Sequence, residues 1–435
     1  MDMRKRSFFG FKQPRFEYAA VRNVAVAPER MRAPERVVLH LTAPMDPNAA
    51  PTLKVGDRVK TGQRLSLYEG ASAYTISSVT GTVAGIAEFA GDFGRKHTAI
   101  TIDAEANDDC DCGFADRLAE DEVAAIREYM GSAPGGFPLE ALEAAADHSI
   151  DTLVIYGTES DLLTATNQYV MATNTDAMDR GISLLKRLTG VHKCLVAIPE
   201  SIISTAGGVG GASGVELRVV DNTYPSATPP LMMRDLFDQV VPADKTPLDL
   251  GVLFVRAEAV VSLGQTLQSG QVPVTKTFTL IRKDLSRAMV EARIGTPVGA
   301  VLRTFDVTLF DRDRIVLGGP MTGSAIYAED HPVGPDTDAL LVQDNGDIAT
   351  VTDNPCINCG ECVRICPATM PVSMLVRLLE ARQYETAADD YDLHSCIECG
   401  LCSFVCVAKI PIFQYIRLAK YELERMRTEE EGTDV

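Results

Sequence analysis

The sequence predicts a multidomain fold, α/β plus β, closed by an α-helical C-terminal module. Three observations predict it. Helix and strand patterns alternate between about residues 116 and 250, short apolar runs alternate with glycine turns before that, and apolar stripes at helical spacing fill the last fifth of the chain. The 435 residues are enough for two to four domains, and 46% hydrophobic against 23% charged residues is the balance of a chain with packed cores.

Residues 1–36 are a basic, aromatic leader: nine basic and four acidic residues give it +5, so the remainder carries −24 of the net −19. Arg4, Lys5 and Arg6 beside Phe8, Phe9 and Phe11 suit an anionic lipid or a partner, although such leaders are more often poorly ordered tails. An acidic chain argues against binding nucleic acid through phosphate neutralisation. No apolar run approaches the roughly 18 residues that span a bilayer, and Met1–Phe11 lacks the apolar core of a secretory signal. The expectation is a cytosolic chain, or one held peripherally at a membrane by a partner.

Residues 37–115 read as a barrel-sandwich module of the biotinyl/lipoyl type, with turns set by Gly56, Gly62 and Gly81. The stretch Tyr68 to Tyr74 between its halves holds no lysine to modify, which favours a scaffold over a swinging-arm carrier. Residues 116–250 read as a Rossmann-like α/β domain. Its helices are expected at Glu122–Met130 and Leu162–Arg180, and its strands at Thr152–Tyr156, Cys194–Ile198 and Leu217–Val220. Glycine-rich loops at 131–138 and 207–211 offer backbone N–H groups to a phosphate, but neither gives the strand–G-x-G-x-x-G–helix fingerprint. In the β-textured segment 251–310, Val272–Leu280 reads as a strand and Leu285–Arg293 as a short helix. Residues 311–350 connect, 351–425 form the helical module, and 426–435 an acidic tail.

Eight of the eleven cysteines fall in two blocks, Cys356, Cys359, Cys362, Cys366 and Cys396, Cys399, Cys402, Cys406, each spaced C-x2-C-x2-C-x3-C. Three thiolates in tight succession wrap one corner of a four-iron cubane, and in two-cluster ferredoxins the fourth cysteine of each block serves the other cluster. The spacing therefore assigns Cys356, Cys359, Cys362 and Cys406 to one 4Fe-4S cluster, and Cys396, Cys399, Cys402 and Cys366 to a second. Zinc modules instead present two separated pairs. Gly360 and Gly400 let backbone approach sulfide, and Pro367 follows the first block as in bacterial ferredoxins, whereas Val407 follows the second.

Taken in order, these parts resemble the C-subunit family of Rnf electron-transport complexes over nearly the whole chain. The resemblance is carried by the cysteine blocks, Gly318–Gly323 (Gly-Gly-Pro-Met-Thr-Gly), Ile294–Pro297 and Lys54–Gln63. It implies a β-grasp segment at 251–310 and a central domain similar to the flavin- and NADH-binding subunit of respiratory complex I. It also implies electron transfer at the cytoplasmic side of the inner membrane. The implied partners are integral-membrane and iron–sulfur subunits that move Na+ or H+, with ferredoxin, NADH or a cytochrome as donor or acceptor.

The candidate flavin/NADH residues that the resemblance carries over are Gly131, Gly136, Phe137 and Glu159. Around them the family pattern is broken. Ala133 and Pro134 replace two loop glycines, Leu142 replaces a lysine, Ser160-Asp161-Leu162 replaces Cys-Glu-Pro, and Ala227-Thr228-Pro229-Pro230 replaces Gly-Gly-Glu-Lys after Tyr224-Pro225. Losing glycines, an N–H donor and a cation removes what grips phosphate. The expected function is thus an iron–sulfur relay with a degenerate flavin/NADH site and no catalytic acid, base or nucleophile. The alternative is an FMN-dependent NADH dehydrogenase subunit. A binding or assembly protein, indifferent to its cluster cysteines, is a third class.

Overall fold

The structure, a computed structural model, describes all residues except 1–13, 20–26, 47, 140–141, 143–149, 204–213, 244 and 434–435; at 430–433 it describes the backbone alone. The loop at 207–211 lies outside the described residues. Among the described residues no helix is long and apolar enough to cross a membrane.

The first layer is a four-stranded antiparallel sheet in the order Arg36–Leu41, Lys96–Ala104, Gly81–Ala90, Arg58–Val59. Alternation along Arg36–Leu41 sends Val37, Leu39 and Leu41 inward onto Val83, Ile100 and Ile102. A β-bulge at Val83/Gly85 bends the long hairpin, whose tip at Asp92–Gly94 reaches the last helix of the chain.

The α/β domain is built on a four-stranded parallel sheet in the order Val215–Val220, Lys193–Pro199, Thr152–Tyr156, Val252–Arg256. The fourth strand and the helix Ala257–Ser269 lie past residue 250, so the domain runs further than the sequence reading placed it. The turn chemistry around Pro242 and Pro247 imitates a boundary, whereas Val252–Arg256 pairs in register with Thr152–Tyr156 and buries Val252, Leu253 and Val255. The helix expected at Leu162–Arg180 is two helices, Thr166–Thr173 and Thr175–Thr189, joined at Asn174. Gly181 and Gly264 let Thr175–Thr189 and Ala257–Ser269 touch through backbone, a contact any side chain would block.

A six-stranded mixed sheet follows, in the order Glu29–Arg30, Arg287–Arg293, Thr275–Ile281, Ala339–Gln343, Arg314–Leu317, Ser324–Ile326. The short helix expected at Leu285–Arg293 is a strand: a turn at Asp284–Leu285 folds Arg287–Arg293 antiparallel onto Thr275–Ile281. The composition Arg-Ala-Met-Val-Glu-Ala-Arg favours helix, and burial of Met289, Val290 and Ala292 against the sheet overrides it. The described residues of the leader also pack on the fold. Glu29–Arg30 pairs with Val290–Glu291, and Phe16–Tyr18 lie on the α/β domain and the C-terminal module.

Past residue 351 the regular elements among the described residues are helices, chiefly Glu361–Ile365, Val372–Glu380, Tyr384–Asp389, Leu401–Val405 and Ile412–Thr433. The last one runs through the stretch read as an acidic tail, because its Glu and Arg residues are good helix formers and pair at i,i+3, as Arg425 with Glu422 at 2.7 Å.

Candidate iron–sulfur and nucleotide sites

Each cysteine block folds as a loop, one helical turn and a cysteine that leaves it. Gly360 and Gly400 open their helices at φ 74° and 71°, a left-handed conformation glycine adopts without strain. Each block's first cysteine sulfur accepts a backbone N–H at 3.4 Å, Asn358 N to Cys356 and Glu398 N to Cys396, and Ile410 N donates to Cys406 Sγ at 3.4 Å.

Two cavities result, and their linings sort the eight thiols. Cys356, Cys359, Cys362 and Cys406 face one narrow cavity of about 20 Å³. Cys366, Cys396, Cys399 and Cys402 face another of about 20 Å³. Four cysteines and a largely apolar remainder in each lining suit two like occupants. Among the described residues no three His, Cys, Asp or Glu side chains converge at distances for a single ion. Burial pushes the thiols of Cys362 up to about 11 and of Cys399 up to about 12, and raises those of Cys396 and Cys402 as well. Such thiols ionise when a cationic core repays the desolvation, so the donor set fits iron–sulfur clusters.

The second cavity abuts the rest of the chain. Tyr224 Oη donates to Cys399 O at 2.7 Å, Tyr18 meets Tyr224 edge-on at 5.4 Å, and Met321 of the Gly-Gly-Pro-Met segment packs beside Ile397. Sequence reading gave these three no role at the cysteines. The Tyr224-Pro225 pair was visible, but only the fold brings it to residue 399.

The flavin/NADH candidates do not form one cradle. Gly131 N donates to Tyr74 Oη at 2.9 Å, Gly135 N to Pro335 O at 3.0 Å, and Gly136 N to Ala133 O at 3.4 Å. Phe137 is buried in the core. A Cβ on Gly135 would strike the backbone at Glu258–Ala259, so its missing side chain serves packing. The N–H groups of these three glycines are thus engaged inside the protein, and Pro134 and Pro138 offer none.

Glu159 lies elsewhere, beyond the end of Thr152–Tyr156, with Oε1 accepting Gln168 N at 2.9 Å. Among the described residues its Oε2 and the neighbouring Thr158 Oγ1 are buried and find no hydrogen-bond partner, and burial lifts the carboxyl to about 7 although the Gln168 N–H and the Thr164 hydroxyl pull the other way. Beside it, at the end of the edge strand Val252–Arg256, Arg256 binds Asp338, and buried Lys276 binds Glu258 and faces Asp338 Oδ1 at 3.6 Å. Burial acts to raise Asp338, yet Arg256 and Lys276 hold it below the usual carboxylate range. This network lies at the end of Val252–Arg256, next to Thr152–Tyr156 where the strand order reverses, the place where such sheets bind ligands. Sequence reading missed it because its members come from two strands, a helix and a loop far apart in the chain.

Fold and sites together define a multidomain iron–sulfur protein, a 4Fe-4S module carried on an α/β domain and an antiparallel β module. Comparison with known proteins makes this particular. Residues 22–107 match the family described as the RnfC barrel sandwich hybrid domain, 124–265 the Nuo51 FMN-binding domain, and 348–407 the 4Fe-4S dicluster domain.

The C subunit of the ion-translocating oxidoreductase complex of Pectobacterium atrosepticum is 28% identical, over 82% of this chain and 54% of that one. The C subunit of the Na(+)-translocating ferredoxin:NAD(+) oxidoreductase complex of Acetobacterium woodii is 23% identical, over 77% and 79%. The proton-translocating counterpart of Clostridium ljungdahlii is 25% identical, over 87% and 85%. The chain spans about half the length of several relatives it matches. The chain is similar to these C subunits at 23–28% identity and, over residues 22–107, to the RnfC barrel sandwich hybrid domain.

Proposed function

We propose that this chain relays single electrons through two 4Fe-4S clusters, as a peripheral subunit on the cytoplasmic side of an ion-translocating membrane complex. The observation that carries the reading is the sorting of eight cysteines into two cavities, three from one block and the fourth from the other. Bound clusters would supply reversible one-electron chemistry. The chain's own residues hold them close together: Cys362 and Cys366 sit four residues apart, about 6 Å of helical rise, and belong to different cavities. Val376, Ile410 and Ile412 wall the first cavity against water, and Met370, Val372 and Ile416 the second. N–H groups aimed at sulfur favour the reduced, more negative state.

Partners of the Rnf kind, integral-membrane and iron–sulfur subunits with ferredoxin, NADH or a cytochrome as donor or acceptor, are supported by the names of the relatives. The Rossmann-like label for the α/β domain is supported by its strand order, and the β-grasp label for the segment after it by the mixed sheet. The engaged donors of the 131–138 loop support a domain that keeps its fold and binds flavin or NADH weakly or not at all. A second reading, an FMN-dependent NADH dehydrogenase subunit, is favoured by Glu159 Oε2 and Thr158 Oγ1 at the sheet's C-terminal edge, which find no hydrogen-bond partner among the described residues.

Anaerobic purification decides between them. The relay predicts about eight irons and eight sulfides per chain, a paramagnetic signal after dithionite, and no flavin released on denaturation. Stoichiometric FMN with bleaching by NADH would establish the second reading, and zinc in place of iron would sink both.

A further inference from the structure

The two cysteine blocks are repeats of one local fold, so each is a measure of the other. Cys356, Cys359, Gly360 and Arg364 correspond in spacing to Cys396, Cys399, Gly400 and Phe404. The backbone repeats as well: Asn358 and Glu398 have φ 57° and 54°, and Thr369 and Lys409 both 55°. What differs is the group that closes the carbonyl of each block's second cysteine. Arg364 Nη2 donates to Cys359 O at 3.1 Å from within the first block, and the same guanidinium pairs with Glu361. Phe404 stands at that position in the second block, a ring without a donor, and meets Phe16 edge-on at 5.0 Å. Cys399 O is closed from outside instead, by Tyr224 Oη at 2.7 Å, from a residue 175 positions away in the α/β domain.

The phenol is held where it is. Tyr224 follows the strand Val215–Val220 and is buried in one cluster with Tyr18, Leu162, Cys399 and Leu401. Tyr18 meets it edge-on at 5.4 Å, and Tyr18 Oη accepts Ala227 N of the same turn at 3.3 Å. Tyr224 N donates to Phe16 O at 2.8 Å. Burial raises the phenol well above its usual range, and the charges of Asp161, Cys399 and Cys402 add to the rise. The group therefore keeps its proton and donates. Lys420 Nζ serves a different carbonyl of the block, Cys396 O at 2.7 Å, and pairs with Glu398 at 2.8 Å.

We infer that Tyr224 is a positioning residue for electron transfer: it takes at Cys399 the place that Arg364 takes at Cys359, and through it the α/β domain raises the potential of the second cluster alone. The inference rests on the cluster reading above. When an electron enters a cluster, negative charge grows on the sulfurs that hold it, Cys399 among them. An O–H dipole with its hydrogen toward Cys399 stabilises that charge, and a dry surrounding strengthens the effect. The bond also fixes the peptide between Cys399 and Gly400. That peptide leads into Leu401, whose N–H favours the thiolate of Cys399. The reductant loses one electron and the cluster gains it; Tyr224 keeps its proton, and no bond is made or broken.

The test is a redox titration of the full chain with clusters, read from the paramagnetic signals of the reduced centres. The native chain is compared with Tyr224→Phe, which keeps the ring and loses only the hydroxyl, and with Arg364→Met. For Tyr224→Phe the expected result is electron binding about three- to tenfold weaker at one cluster, a midpoint lower by about 30–60 mV at 59 mV per tenfold. Arg364→Met is expected to lower the potential of the other cluster and to leave that one in place. A ring-fluorinated tyrosine at position 224, a stronger donor of nearly the same shape, is expected to raise the potential that phenylalanine lowers. It reads the same bond without disturbing the packing, and decides by itself if Tyr224→Phe loses iron. Electron binding in Tyr224→Phe within about 1.5-fold of native would overturn the inference. So would a shift shared equally by both clusters, or a fluorinated chain at the native potential. An iron-free native chain is a different failure, that of the cluster reading, and shows in metal analysis before any titration.

Discussion

Glu159 carries its carboxyl in a fully buried site where one oxygen finds no hydrogen-bond partner among the described residues, and burial raises its pKa from 4.5 to about 7. The folded chain therefore keeps a proton that the unfolded chain gives up between about pH 4.5 and 7. Stability from this group is greatest below that window, falls as pH rises through it, and above pH 7 the buried charge costs the full shift, about 3 kcal/mol. Glu159→Gln removes the titration. The difference in Tm between the variant and the native chain should grow in the variant's favour from about pH 5 to pH 8, and parallel profiles would show that the carboxyl is solvated or paired. At this scale the sequence was legible where chemistry repeats a pattern: cysteine spacing named all eight cysteines that line the cavities. Glu159 was reachable only through a family resemblance. The Lys276–Glu258 and Arg256–Asp338 pairs were not legible, because nothing in the sequence around a lysine on a strand announces carboxylates delivered from two other elements.

Among elements, the two cysteine loops give a controlled comparison. Gly360 and Gly400 share their left-handed φ, so alanine costs each about 1 kcal/mol in backbone strain. Only at Gly400 would the new methyl also meet a backbone oxygen, Met321 O at 2.5 Å, which adds about 1–3 kcal/mol of overpacking. Gly400→Ala should lose its visible absorbance to an iron chelator roughly tenfold faster than Gly360→Ala, and equal rates would mean that the Met321 contact does not press on the loop. Elements whose burial follows their own periodicity were readable: Thr152–Tyr156 was placed to the residue, and Glu122–Tyr129 to within one. Arg287–Arg293 was not, since helix-forming residues serve as a strand once a turn at Leu285 brings them against Thr275–Ile281.

In the whole molecule, the C-terminal module is held from two directions. The hairpin tip of the β module grips the last helix, Asp92 bonding Arg417 at 2.9 Å and Phe93 stacking on Tyr421 at 5.4 Å, while Tyr18, Tyr224 and Met321 close over the second cysteine block. The order of parts was legible from composition. Their limits were less so: the parallel sheet gains its fourth strand beyond residue 250, and residues 16–18 of the leader become part of the packing. The central claim is that each block lends its fourth cysteine to the other's cluster. Iron content and reduced-state paramagnetic spectra of two paired variants test it most directly. If the ligands are exchanged, Cys356→Ser with Cys406→Ser damages one site and retains about four irons, whereas Cys356→Ser with Cys366→Ser damages both and retains none. The reverse outcome, no iron in the first pair and about four in the second, would contradict the account.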